Sequence, residues 1–308
     1  MKTIELETPK QTSVRLQSTG AEAVIQSLKA EGVKTIFGYP GGAIMPIYDA
    51  LFDHLEEINH VLTRHEQGAI HAAQGYARTS GKTGVVFATS GPGATNLITG
   101  LADALIDSTP LVCITGQVAS HLLGTDAFQE TDVMGISMPV TKWNCQVTKA
   151  EDIAPTLAKA FYIASSGRPG PVLVDITKDA QFEMLDFSYE KCTAVRSFHP
   201  KPKLNLDQVQ AASKLLNEAK KPLMIVGQGI MLSNAEEELR AFAEKTGVPV
   251  ASTLLGLGAF PANHPQFVGM VGMHGNYAPN VKSNECDVLL AVGMRSVSYT
   301  HLTLPTTP

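Results

Sequence analysis

The sequence predicts an α/β chain of two doubly wound domains, each built on a parallel sheet. Three observations predict it. Short apolar runs alternate with stretches of helical period along most of the chain. Glycine-rich turns follow several of those runs, at the carboxyl ends of strands where such folds bind ligands. The periodicity lapses once, over about residues 183–203, a segment with His199-Pro200-Lys201-Pro202 near its end. A length of 308 residues agrees with about two domains. The expected division is a first domain over 14–182, a linker over 183–203 and a second domain over 204–295.

Element by element, Thr19-Gly20-Ala21-Glu22 has the form of a capping box, and Val24, Ile25 and Leu28 continue it as a helical stripe that Gly32 can stop. Residues 33–37 read as a buried strand, and Gly38-Tyr39-Pro40-Gly41-Gly42 as a turn whose glycines let the main chain come close to a ligand. A helix over 47–55, a strand over 60–63 and an alanine-rich helix over 66–79 follow. Then come a strand over 85–89, a helix over 97–106 and a strand over 111–115. The run Val172 to Ile176 looks like the last strand of this domain. After the linker, a helix over 207–218, a strand over 223–226, the turn Gly227-Gln228-Gly229 and a helix over 235–246 open the second domain. Strands over 248–252 and 288–292 complete it.

Composition narrows the function. With 44% apolar and 17% charged residues the chain builds ordinary cores. The net charge of -5 has no basic block behind it, which argues against nucleic acid as a partner. No apolar run is long enough to span a bilayer, and the opening Met1 to Glu7 lacks the apolar core of a secretory signal. Cys113, Cys145, Cys192 and Cys286 lack metal-ligand or disulfide spacing and read as reduced thiols of a cytoplasmic protein.

The chemistry is concentrated in Arg64-His65-Glu66-Gln67-Gly68-Ala69 and, further on, Ser90-Gly91-Pro92-Gly93-Ala94-Thr95-Asn96. A glutamate at a helix start is ordinarily there for the helix dipole. In a dry cleft it can also share a proton with a bound heterocycle. Both segments are expected at the carboxyl ends of neighbouring strands. The second lacks the Gly-Lys-Ser/Thr ending of a phosphate loop, and its Asn96 has the alternative role of capping the next helix. Gly124-Thr125-Asp126-Ala127-Phe128-Gln129-Glu130 has no period and, on its own, reads as a solvent loop.

Taken together, these segments resemble the pyrimidine-binding domain of thiamine diphosphate (ThDP) enzymes. Over 14–295 the chain is similar to the catalytic subunits of acetohydroxyacid synthases (acetolactate synthases). The resemblance rests on Arg64 to Ala69, on Ala73-Gln74-Gly75-Tyr76-Ala77-Arg78 and on the Gly124 to Glu130 motif. It implies that Glu66 hydrogen-bonds N1' of the cofactor's aminopyrimidine and promotes the tautomer that removes the thiazolium C2 proton. Gln129 joins Glu66 as a catalytic residue. Tyr39, Pro40, Gly41, Gly42, Pro92, Gly93 and Asn96 line the cofactor, while Phe128 and Lys178 border the substrate channel. The second domain resembles a Rossmann-like FAD-binding domain, although Gly227 and Gly229 lack the full dinucleotide fingerprint. Arg168, Gly227, Gly229, Thr253, Leu254, Gly272, Met273, His274 and Arg295 match flavin contacts, the flavin taking no part in net redox chemistry.

The activity so implied decarboxylates pyruvate and transfers the hydroxyethyl group to a second 2-keto acid, early in the synthesis of isoleucine and valine. Small 2-keto acids, a homodimer or homotetramer and a small regulatory subunit are the implied partners, with no membrane. The family's Gly-Asp-Gly motif, which with a following asparagine pair holds Mg2+ and the diphosphate, is nowhere in these residues, so the metal ligands are expected outside the fragment and the fragment is expected to be inactive. Other readings are a catabolic acetolactate synthase, a pyruvate oxidase or a non-catalytic nucleotide-binding module. Residues 297–306 back-translate to GTC TCT TAT ACA CAT CTG ACG CTG CCG ACG, which looks like a transposon end with a sequencing adapter. Residues 296–308 are therefore expected to be non-native read-through and the second domain to be truncated, the alternative being a genuine strand and loop.

Overall fold

A computed structural model describes residues 16–295, so the 296–308 segment lies outside the described residues. The chain divides into two compact units, with the boundary after Pro202. Among the described residues, no helix is long and apolar enough to cross a membrane.

The first unit contains β1 (Leu16–Thr19), β2 (Thr35–Gly38), β3 (Asn59–Leu62), β4 (Gly84–Ala88), β5 (Leu111–Gln117), β6 (Trp143–Val147), β7 (Pro171–Thr177) and β8 (Met184–Phe187). Six of them form a parallel sheet in the order β3-β2-β4-β5-β7-β6. Strands β4, β5 and β7 are buried along their whole length, as central parallel strands covered on both faces must be. Successive residues feed opposite cores. Val85 and Phe87 pack with Val24, Ile25 and Leu28 of the Gly20–Ala30 helix and Leu157 of the Ile153–Ser165 helix. Val86 and Ala88 pack with Ile70 and Ala73 of the Glu66–Ser80 helix and Leu101 of the Ile98–Ile106 helix.

Thr19 caps the first helix by accepting from the Glu22 amide at 3.2 Å. Only half of the capping box forms, because the Glu22 carboxylate turns to Gln26 and His54 instead. The reading of 183–203 as linker differs from the structure at its start. Strand β8 pairs antiparallel with β1, Leu16 opposite Phe187, and so joins the first unit.

The second unit holds β9 (Pro222–Val226), β10 (Val250–Ser252), β11 (Phe267–Met270) and β12 (Val288–Val292), all parallel, in the order β11-β10-β9-β12. Met224 and Val226 face one core with Leu239 and Ala243, while Leu223 and Ile225 face the other with Val271.

The second sheet reverses its winding direction once; the first does so at β2 and again where the chain steps back from β6 to β7. In the first unit the chain leaves β2 outward to β3 and returns to the other side of β2 as β4. In the second it leaves β9 toward β10 and β11, then returns beside β9 as β12. Strand exits diverge at such reversals, and the crevice between them is where open α/β sheets bind ligands.

Candidate active site

Three chain segments meet where the first sheet reverses at β2. The turn after β2 lies against the exit of β4. The Tyr39 amide donates to the Phe87 carbonyl at 3.4 Å, and the Ala43 amide donates to Thr89 Oγ1 at 3.2 Å. A Cβ on Gly41 would stand 2.5 Å from the Cβ of Thr89, so glycine is what permits this approach. Tyr39 keeps a partly exposed ring beside Pro40 and Gly42 at the mouth of the turn.

Glu66 is the first residue of its helix, where the dipole favours a carboxylate. His65 caps that helix through its ring nitrogen, which accepts from the Gln67 amide. Glu66 is only 7% exposed. Its Oε2 accepts a hydrogen bond of 2.9 Å from the side-chain amide of Asn96. Gly93 lies on the other oxygen's side, where a Cβ would sit 3.1 Å from Oε1 and 2.8 Å from Thr89 Cγ2. Burial first, and then the charge of Glu66, push the Tyr48 hydroxyl well above the usual phenol range.

This geometry revises two expectations. Glu66 and the Ser90–Asn96 segment do not follow neighbouring strands. Strand β2 runs between β3 and β4, so the carboxylate reaches across the turn after β2. Asn96 does not cap the next helix either. The Ile98–Ile106 helix starts from Leu97 without a side-chain cap, and the Asn96 amide is committed to Glu66.

The Gly124–Glu130 segment has no regular structure, but it is a built loop. The Glu130 carboxylate accepts from the backbone N–H of Gly124, of Thr125 at 3.2 Å and of Ala127 at 3.1 Å. Those bonds, Gly124's foremost, hold it below the usual carboxylate range. Asp126 and Gln129 adopt positive φ of 57° and 59°. The loop carries Gln129 onto the Pro92-Gly93 turn, where a Cβ on Gly91 would meet the Gln129 carbonyl oxygen at 2.5 Å. Phe128, 88% exposed, points away from any core. Lys178 opens a short helix directly after β7, and Gln181 of that helix donates 2.8 Å to the Ala43 carbonyl. The structure thus draws together the segments bearing Tyr39 to Gly42, Glu66, Pro92 to Asn96 and Gln129.

Sequence reading missed Thr89, Tyr48 and, above all, Asp175. That residue is fully buried in β7 and accepts from Thr115 Oγ1 at 2.6 Å, Gln117 Nε2 at 3.1 Å and Gln146 Nε2 at 3.0 Å. Burial raises its carboxyl to about 6 against those bonds. The signal was present, since Pro171 to Thr177 is a buried strand interrupted by one carboxylate, and buried carboxylates are rare without a specific reason.

Arg168 belongs to the first unit and caps a helix there. Its guanidinium donates to Ser108 Oγ and to the carbonyls of Leu105 and Ile106 at the end of the Ile98–Ile106 helix. In the second unit, the glycines at the strand exits pack on one another. A Cβ on Gly227 or Gly229 would come within 2.6 Å of Gly293 or Met294 backbone, and one on Gly256 would reach the Val226 carbonyl at 2.4 Å. Thr253 caps the following turn through Gly256, while Ser252 keeps a buried hydroxyl without a partner. Leu254 and Met273 are exposed at this end. Gly272, at φ 108°, is clamped by Asn280 on both its amide and its carbonyl, which fixes the loop carrying His274. Arg295 ends the described chain.

Comparison with known proteins agrees with this layout. Residues 18–136 match the thiamine pyrophosphate enzyme N-terminal TPP binding domain. Residues 209–307 match the thiamine pyrophosphate enzyme central domain, a match that takes in most of the segment read above as non-native. The acetolactate synthase large subunit of Corynebacterium glutamicum is 52% identical over 277 residues, covering 90% of this chain and 44% of the relative. The probable large subunit of Methanocaldococcus jannaschii is 51% identical, with coverages of 90% and 47%. That of Haemophilus influenzae is 52% identical, with coverages of 90% and 48%. The chain spans about half the length of these curated relatives. With both family domains in order and half the aligned residues shared, the chain belongs to the thiamine pyrophosphate enzymes, as a homologue of acetolactate synthase large subunits.

Proposed function

We propose that this chain is the N-terminal part of an acetolactate synthase, which decarboxylates pyruvate and joins the two-carbon unit to pyruvate or 2-ketobutyrate. The observation that carries the reading is the buried Glu66, held from one side by Asn96 and left open on the other by Gly93. A thiamine diphosphate ring fits this place. Oε1 of a nearly buried carboxylate has no hydrogen-bond donor among the described residues, and a Cβ at position 93 would crowd it. When bound, the cofactor supplies the carbanion chemistry at its thiazolium.

The chain's own residues prepare that chemistry. Asn96 fixes one carboxylate oxygen, which would leave Glu66 Oε1 to hold or release a proton at the aminopyrimidine N1'. Tyr39, Pro40, Gly41, Gly42, Pro92 and Gly93 would line the cofactor ring, with Gly93 leaving room beside Glu66 Oε1. Gln129, whose backbone lies against Gly91, would act on the substrate, and Phe128 and Lys178 would border its approach.

In the second unit, the strand exits at the β9/β12 reversal are the proposed place for a flavin. Leu254, after β10, and Met273, after β11, are exposed side chains at this end of the sheet. Gly227, Gly229, Thr253, Gly272, His274 and Arg295 are the further residues of this unit proposed for FAD. Magnesium and the diphosphate belong to sequence that the longer relatives carry. Homo-oligomerisation, a small regulatory subunit and a cytoplasmic setting complete the reading.

The test is Glu66→Gln in a full-length protein containing this chain. The substitution keeps shape and lowers basicity, so exchange of the bound cofactor's C2 proton, followed by NMR, should slow by about two orders of magnitude or more. An unchanged exchange rate removes Glu66 from the mechanism and the reading with it.

A further inference from the structure

A fully buried carboxylate with three neutral donors and no cation on it is an expensive thing to fold around. Asp175 is such a group, and what its donors do next is informative. Thr115 and Gln146 are anchored in the strands flanking β7. Gln117, at the last residue of β5 and 1% exposed, is different. Its amide Nε2 donates to Asp175 Oδ2 at 3.1 Å and also to the main-chain carbonyl of Thr131 at 3.1 Å. Its Oε1 accepts from the Val118 amide at 2.8 Å, which fixes which way the amide faces.

Thr131 is the residue directly after Glu130, so this carbonyl is the far end of the loop that presents Phe128 and Gln129. The near end is tied separately. Ser120 donates its amide at 3.0 Å and its hydroxyl at 2.5 Å to Asp179, just beyond β7. Burial opposes that charge, but the Ser120 side-chain bond and further hydrogen bonds outweigh it and hold Asp179 at about 2. Between the two ends, Glu130 gathers the loop's own amides.

We propose that Asp175 is a positioning residue for the catalytic loop: it orients the Gln117 amide, which holds the Thr131 carbonyl and so keeps Gln129 against the Ser90–Asn96 turn. The other charged and titratable groups near it are Asp132, which caps the following short helix through the Gly135 amide, and Cys145 of β6, whose thiol burial pushes up to about 12. Neither can replace Asp175. The Asp132 carboxylate is engaged at its own helix, and a neutral thiol is a weak acceptor. That Gln129 acts in catalysis rests on the function proposed above. The anchoring of the loop does not, and it can be read without cofactor or turnover.

The experiment follows amide hydrogen exchange in the 308-residue chain, comparing Gly124, Thr125, Ala127 and Glu130 with core amides such as Val86 and Ile114. Asp175→Leu removes the acceptor and should speed exchange in the loop about tenfold or more, with the core unchanged. Asp175→Asn keeps an acceptor. Its carbonyl can serve both glutamines while its NH2 turns to the Thr115 hydroxyl, which can accept. Loop exchange should therefore stay within about threefold of the wild type. Gln117→Leu should match Asp175→Leu, and the double substitution should add nothing further. Wild-type loop exchange in Asp175→Leu would overturn the proposal, as would equal acceleration of loop and core. Should Asp175→Leu fail to fold, Gln117→Leu alone decides, since it leaves β7 intact. A loop that stays protected there sinks the idea.

Discussion

The hydrogen bond between Asn96 and Glu66 sets up the sharpest test of how the site is built. Asn96→Ala removes the donor at 2.9 Å from Oε2, and little water can replace it, because Glu66 is only 7% exposed. A hydrogen bond to a charged group is worth about 1.5–3 kcal/mol, so the first unit should lose about 2 kcal/mol. The chain has one tryptophan, Trp143 in β6, and its fluorescence reports the first unit alone. With a urea m-value of about 2 kcal/mol/M for a unit of this size, the midpoint should fall by about 1 M. In a Glu66→Gln background the amide pair is neutral and worth about half as much, so the same change should cost only about 1 kcal/mol. Helix capping by Asn96 predicts equal losses in both backgrounds. Equal losses, or no loss in either, would refute the assignment of Asn96 as the clamp on Glu66.

Two other outcomes can be read from the same fluorescence. Gly100→Ala places a Cβ 2.1 Å from Ile70 Cγ2, where the Glu66–Ser80 and Ile98–Ile106 helices cross. Overpacking of about 1–3 kcal/mol should outweigh a helix-propensity gain of about 1 kcal/mol, and combination with Ile70→Ala should cost less than the sum, whereas a stabilised single variant would contradict the packing. Asp175 has its carboxyl raised by burial from 3.8 to about 6, so between those values the folded chain binds the extra proton and the residue's contribution to stability falls as pH rises, then stays flat above. Asp175→Asn should accordingly gain on the wild type by up to roughly 3 kcal/mol between pH 4 and pH 7, and a gap that does not change with pH would show that the charge is not buried as described.

Much of the fold was legible because buried parallel strands write themselves as short apolar runs. Residues 84–88 and 288–292 lie within a residue of where periodicity puts them. Among the elements that went unread, two did so for different reasons. In Trp143–Val147 the apolar residues alternate with Asn144 and Gln146, the mark of a half-buried strand, but the run is short and polar in the middle. Its alternation is functional in the fold, since Asn144 bonds the Met134 carbonyl and Gln146 bonds Asp175. The Ile153–Ser165 helix has a buried face packed with the sheet and the Gly20–Ala30 helix. Its outer face carries Pro155 and Tyr162 along with Lys159, so the contrast that marks a surface helix is written in few polar residues. Strand β8 was taken for linker because its pairing partner, β1, lies about 165 residues away in sequence, and no local pattern reports so distant a partner.

The sheet reversals at β2 and β9 show why the glycine motifs of the two units carry different weight. In the first, Gly93 leaves room beside a carboxylate oxygen, a group with chemistry of its own to offer. A glycine there is tied to what Glu66 must reach. In the second, Gly227, Gly229 and Gly256 leave room for backbone, namely Gly293, Met294 and the Val226 carbonyl. The strand exits could not pack with side chains at those positions, whatever the crevice binds. A glycine turn at a strand exit therefore speaks for a ligand only when the space it clears faces a functional group. What glycine packing leaves unexplained in the second unit is in side chains: the Ser252 hydroxyl, buried without a partner among the described residues, and the exposed Leu254 and Met273. Covering those apolar side chains is favourable for any ligand that reaches them, and the glycines carry no vote on which ligand that is.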